Sequence, residues 1–160
     1  MIRPVSMQDL NECAAVIRES FQTVADALGI TKENAPRFTA FAVTEERLLS
    51  QLTQEKRPMF AYFDEGKIIG YYSLAFPEDG VCELNNLCVL PYCRHAGIGE
   101  RLLADAQMRS ARLGCRKMVL GIVEENRRLR AWYEEKGFVH TGTKKFDFFP
   151  FTCGYMEKEL

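Results

Sequence analysis

Residues Glu83 to Leu103, ELNNLCVLPYCRHAGIGERLL, constrain this chain more than any other stretch. They read as a buried strand, a short polar turn with two glycines, and the first turns of an amphipathic helix. Pro91 marks where the strand stops. The turn from Arg94 to Gly99 has the ingredients of a pyrophosphate cradle. Arg94 brings a fork of donors. Gly97 and Gly99 let the backbone approach a ligand with no Cβ in the way. The helix starting near Ile98 presents free N–H groups and the positive end of its dipole. An ordinary βα loop also contains Gly-x-Gly, so the flanking strand and helix carry the argument. Two other phosphate loops do not fit. A dinucleotide fingerprint needs glycine where Leu102 stands, and a P-loop needs Lys-Ser/Thr where Glu100 and Arg101 follow Gly99.

The rest of the composition narrows the class. With 160 residues the chain is long enough for one domain, 1–160, with a real core. A net charge of −1 gives no electrostatic case for nucleic acid or an anionic membrane. No apolar run approaches the roughly 20 residues of a membrane span, and MIRPVSMQDL lacks a signal peptide's apolar stretch. The six cysteines form no C-x-x-C pair and have no histidine at zinc spacing, so no metal is expected. Reduced thiols in a cytoplasmic protein are the simpler reading.

Taken in order, Ile2–Val5 reads as an edge strand ended by Pro4. Ser6 and Asp9 form a capping box before a helix with apolar residues at Leu10, Ala14, Ile17, Phe21, Ala25 and Leu28, stopped by Gly29. Ile30 to Val43 reads as a loop or broken helix over a pocket. Thr44 opens a short helix that ends before Pro58. Phe60–Phe63 and Ile68–Phe76 are β-rich runs joined by the hairpin turn Asp64-Glu65-Gly66-Lys67. A turn through Gly80 leads into Val81–Leu90. The helix after the glycine turn carries Ile98, Leu102, Leu103, Ala106 and Leu113 on one face. Lys117–Val123 reads as a strand covered on both faces. Asn126 caps a helix over Arg127–Lys136, and two strands follow near Phe138–Phe148 and Thr152–Glu159. The order β-α-α-β-β-β-α-β-α-β-β predicts an α/β fold: a mixed, mostly antiparallel sheet of about seven strands with helices on both faces. An exposed final strand offers a possible homodimer contact.

Three further residues stand out. Glu83 precedes Asn85 and Asn86, whose polarity breaks strict alternation and points to a bulge or splayed edge. Asn126 and Tyr133 lie seven residues apart. Each has an ordinary explanation on its own: a solvent-facing strand residue, a helix N-cap and a core tyrosine.

Their joint spacing resembles a known family. Val89-x-Pro91, the Arg94-x-x-Gly97-x-Gly99 loop, then Asn126, Tyr133 and Gly137-Phe138 are similar to the signatures of the GNAT N-acetyltransferase superfamily. The likeness is strong over about residues 80 to 140. It implies acetyl-coenzyme A as co-substrate, with no metal. Leu87, Cys88 and Val89 would pair with the pantetheine amides. Arg94 and the N–H groups of His95, Ala96, Gly97, Ile98, Gly99 and Glu100 would hold the pyrophosphate, and Asn126 the pantetheine arm. Hydrogen bonds with a charged partner contribute about 1.5–3 kcal/mol each. Tyr133 would protonate the leaving thiolate, and Glu83 matches the place where several members keep a general base. His95-Ala96 departs from the Gly/Arg-Lys/Arg of many relatives and loses one possible phosphate contact. The cluster Arg127, Arg128, Arg130 either reaches the cofactor's 3′-phosphate or is a solvated face.

The implied function is acetyl transfer to a primary amine of a small molecule. The alternatives are a non-catalytic acyl-coenzyme A sensor and a protein N-terminal or lysine acetyltransferase. Direct attack is expected rather than ping-pong transfer through Cys88 or Cys93. Phe21, Phe38, Phe41 and the run Phe146-Asp147-Phe148-Phe149-Pro150-Phe151 read either as an aromatic acceptor pocket or as packing. Asp147, Glu124 and Glu125 either supply negative charge for a cationic acceptor or are merely solvated.

Overall fold

A computed structural model describes residues Met1–Leu160. Seven strands form one sheet: β1 (Ile2–Pro4), β2 (Met59–Asp64), β3 (Lys67–Glu78), β4 (Val81–Val89), β5 (Lys117–Val123), β6 (Val139–Lys145) and β7 (Thr152–Glu159). Their spatial order is β1-β2-β3-β4-β5-β7-β6, antiparallel throughout except for the β4–β5 pair. The helices are α1 (Leu10–Leu28), α2 (Thr39–Ala42), α3 (Glu45–Thr53), α4 (Ile98–Arg112) and α5 (Arg127–Glu135).

The local signals resolve much as chemistry dictates. The Ser6–Asp9 capping box is formed, and Thr44 accepts the Arg47 N–H to start α3. Glu65 and Gly66 both take positive φ in the two-residue β2–β3 turn. Neighbouring residues of β3 show how the sheet is sandwiched. Tyr72 donates to Asp105 of α4 at 2.7 Å, while Tyr71 packs toward Cys13 of α1. Leu102 of α4 lies so close to Gly70 that a Cβ there would meet it at 2.8 Å. Helices therefore cover both faces.

Some expectations need correction. Leu28 and Leu113 end their helices exposed, because each falls past the last turn that faces the sheet. Strand β5 is not buried on both faces. Met118, Leu120 and Ile122 face the core, whereas Val119, Gly121 and Val123 alternate toward a cavity or solvent. The last hairpin is shorter than its sequence pattern, since β6 stops at Lys145 and Phe146–Phe151 form the connection.

One irregularity shapes the centre. Ser73 pairs with Asn85 and Tyr71 with Cys88, so Asn86 and Leu87 together oppose Tyr72. Asn86 takes φ 53°, and this bulge bends β4. Pairing with β5 then covers only Val81–Lys117, Cys82–Met118 and Glu83–Val119. Beyond Glu83 the two strands part. No helix is long and apolar enough to cross a membrane.

Candidate active site

The parted strands open a cavity of about 400 Å³. Glu83 to Leu87 form one wall and Val119 to Val123 the other, with Asn126, Leu129 and Tyr133 of the α5 region at one end. In an antiparallel pair, alternate residues turn their N–H and C=O groups away from the partner. From Leu84 onward those groups on β4 face the gap rather than a strand. An extended ligand can therefore pair there as an extra strand.

At the end of β4 the glycine turn enters α4. His95 and Gly97 take φ 64° and 79°, curling the backbone so that successive N–H groups converge. The N–H groups of His95, Ala96, Gly97, Ile98, Gly99 and Glu100 donate to no acceptor in the protein; the first bond of the turn is Arg101 N–H to the Gly97 carbonyl. Six neighbouring donors and a helix N-terminus suit an anion with several oxygens. The two glycines are not equivalent. Gly97 has open space around it but needs its positive φ, whereas a Cβ on Gly99 would point inward at Trp132 and Val89. Close approach of a ligand thus does not depend on Gly99.

Arg94 differs more sharply from expectation. Its guanidinium donates to the Val89 carbonyl at 3.1 Å, to Thr23 Oγ1 at 3.0 Å and to the Ser20 carbonyl at 2.8 Å. The fork expected to meet phosphate instead fastens the loop to α1.

Tyr133 is 5% exposed, edge-on to Trp132 and Phe138, and beside Cys88. Its hydroxyl has no hydrogen-bond partner in the protein, and burial pushes its pKa up, so it stays protonated at any working pH. Burial likewise pushes the Cys88 thiol up to about 12. Val89 packs toward Gly99, and Leu87 lines the cavity. Asn126 lines it too, yet its Oδ1 accepts the Leu129 N–H at 3.3 Å, the ordinary capping role. Glu83 lies half-buried on the wall, near Tyr155.

Phe21, Phe38, Phe149 and Phe151 line the cavity. Phe38 meets Phe21 and Phe151 edge-on at 6.2 and 5.6 Å, and Phe149 stacks on Phe151 at 4.5 Å. Phe41 backs this cluster, while Phe146 and Phe148 stack on each other outside the cavity. The three carboxylates expected in the pocket are elsewhere. Asp147 is exposed, Glu124 is bound to Arg130 and His140, and Glu125 accepts the Thr152 N–H. Arg130 pairs with Glu124 and Glu134, while Arg127 and Arg128 are exposed. Sequence reasoning missed Arg37, Thr141 and Tyr155 on the cavity wall. Their ordinary surface spacing carried no signal.

A splayed parallel pair, an amide-lined turn at its foot and a buried tyrosine lining the gap suit an extended ligand with an anionic end. Residues 25–138 match the Acetyltransferase (GNAT) family, and the chain belongs to it. An uncharacterised N-acetyltransferase of Mycobacterium tuberculosis is 28% identical over 140 residues, covering 88% of this chain and 89% of that protein. Among solved structures, the PaiA N-acetyltransferase of Thermoplasma acidophilum in complex with coenzyme A is similar. It has a TM-score of 0.83 and 22% identity, over 100% of this chain and 98% of that one. A phosphinothricin acetyltransferase of Sinorhizobium meliloti in complex with acetyl-coenzyme A has a TM-score of 0.75 and 22% identity, over 100% and 88%.

Proposed function

We propose that this protein transfers the acetyl group of acetyl-coenzyme A to the primary amine of a small molecule by direct attack. The observation that carries the reading is the run of six unpartnered N–H groups from His95 to Glu100 at the foot of the β4–β5 gap. They fit a pyrophosphate, and the open edge of β4 from Leu84 to Val89 fits the amides of a pantetheine arm. Asn126 flanks that arm. Arg94 serves by holding the loop against α1. The coenzyme A and acetyl-coenzyme A held by the Thermoplasma and Sinorhizobium proteins support the same choice.

The thioester supplies the acyl group and a thiolate leaving group; the chain does the rest. An alkylammonium with pKa near 10.4 cannot attack, and removing its proton costs about 4–5 kcal/mol at pH 7. Glu83 takes that proton, directly or through water. A β4 N–H near Leu87 or Cys88 polarises the carbonyl. Tyr133 donates to the departing sulfur. Burial makes its hydroxyl a weaker acid, but the same dry surroundings disfavour a free thiolate, so the two shifts offset each other. The aromatic wall, formed by Phe21, Phe38, Phe149 and Phe151, favours a small acceptor with an apolar side over a protein chain.

The test is paired. Calorimetry should show coenzyme A binding, and acetyl-coenzyme A should release free thiol only when an accepted amine is present. Binding with no acceptor-dependent release across a broad amine panel would replace the enzyme by an acyl-coenzyme A sensor.

A further inference from the structure

The acceptor end of the cavity has an uneven charge inventory. Among its lining residues Glu83 is the one carboxylate and Arg37 the one cation; most of the others are apolar. Glu83 is the proposed base. Arg37 has no acidic partner and makes no hydrogen bond in the protein; its guanidinium carbon lies 4.4 Å from the centre of the Phe148 ring. Its backbone is held by its neighbours, while the side chain itself is exposed. Ala35 is fully buried, Pro36 restricts the backbone, and Phe38 is locked among Phe21, Phe41 and Phe151. Its guanidinium lies over the exposed Phe148 ring at the cavity's rim, and its N–H donors, bonded to nothing in the protein, are free for a planar anion. A bidentate guanidinium–carboxylate pair adds geometric specificity as well as energy.

We infer that the acceptor is a free amino acid with an apolar or aromatic side chain. Its carboxylate pairs with the edge of Arg37, its amine lies toward Glu83, and its side chain packs on Phe21, Phe38, Phe149 and Phe151. This inference rests on the transferase reading and narrows its acceptor. No covalent step is added: the amine nitrogen still bonds to the acyl carbon, and the sulfur still leaves with a proton.

The experiment uses matched acceptors: phenylalanine with phenethylamine, leucine with isoamylamine, and methionine with 3-(methylthio)propylamine. Each amino acid is also presented as its amide and as the N-terminus of a tripeptide. Thiol release gives kcat/KM for each. For the wild-type protein the free acid should exceed its decarboxylated partner at least tenfold in one or more sets. In Arg37→Gln that ratio should fall at least tenfold, mainly through KM of the acid, and Arg37→Lys should restore part of it. Equal or better use of the carboxylate-free amines overturns the inference. So does a ratio that survives Arg37→Gln, turnover confined to the tripeptides, or no turnover in any set. Coenzyme A calorimetry on the same preparations separates the two readings. Intact binding without a carboxylate preference removes this inference alone, whereas loss of wild-type binding removes both.

Discussion

The guanidinium of Arg94 donates to the carbonyl of Ser20 at 2.8 Å, joining the end of β4 to the middle of α1 across 74 residues of sequence. Thr23, one turn further along α1, takes a second bond from the same group. Ser20 and Thr23 bracket Phe21, a cavity residue. The side chain thus braces the amide turn from behind, leaving its N–H groups turned outward. Arg94→Ala should lower stability by about 1–2 kcal/mol, because the fork is only partly shielded from water. Coenzyme A affinity should fall with it. Thermal unfolding and calorimetry measure the two; an unchanged Kd would show that the turn keeps its shape unaided.

Gly97 and Gly99 should respond oppositely to alanine. At Gly97 the positive φ strains any side chain, by about 1–2 kcal/mol, and relief by backbone rotation would scatter the amides. Gly97→Ala should therefore weaken coenzyme A binding. At Gly99 the new methyl meets Trp132 at 3.6 Å, an ordinary contact, inside helix α4. Gly99→Ala should leave binding alone and stabilise by up to about 1 kcal/mol. Equal loss of affinity in both would contradict the assignment.

Tyr133→Phe removes a hydroxyl that bonds to nothing in the protein, so stability and cofactor affinity should change little. Turnover should fall about 10²-fold, the lower end of general acid contributions. Stopped-flow thiol release beside calorimetry gives both quantities. Unchanged turnover would remove Tyr133 as the acid.

Glu83→Gln tests the base through pH. Below the amine's pKa the wild-type protein should work on the protonated acceptor because Glu83 accepts its proton. The variant must wait for free amine, so its rate should climb with pH toward about 10 and sit 10²-fold or more lower near neutrality. A profile that overlays the wild-type curve would assign proton removal to another group.

The proposed direct transfer and the alkaline stability both draw on the buried thiols. With its pKa pushed to about 12, Cys88 stays protonated through the working range and is no nucleophile. Cys88→Ala should keep acetyl transfer at a stability cost of about 1 kcal/mol, and no acetyl-enzyme should accumulate on mixing with acetyl-coenzyme A. Cys13 is pushed to about 12 as well, from an ordinary 9.0. Above pH 9 the unfolded chain releases these protons while the native protein retains them, so stability falls as pH rises toward 12. Urea midpoints for wild type and Cys13→Ala should converge across that window.

Local grammar made most of the architecture readable in advance. Pro91, Gly97, Asn126 and Gly137 act on their immediate neighbours, and the structure places each at the element boundary its chemistry requires. The break in alternation at Asn85-Asn86 marked the bulge for the same reason. What escaped was non-local. Nothing near Arg94 indicates that Ser20 and Thr23 will capture its fork. Glu124 looked free because its partners, Arg130 and His140, are brought to it by α5 and β6. Arg37 sits among loop residues with no period to distinguish it.

The contact between Phe38 and Phe151 has a wider consequence. It clasps the α1–α2 connection to the β6–β7 connection, and neither segment belongs to the sheet. Exchanging those rings redraws one side of the chamber while leaving the anion cradle and the bent strand untouched. Under the proposed function, acceptor preference can therefore drift during descent as an independent trait, with the acylating apparatus inherited whole.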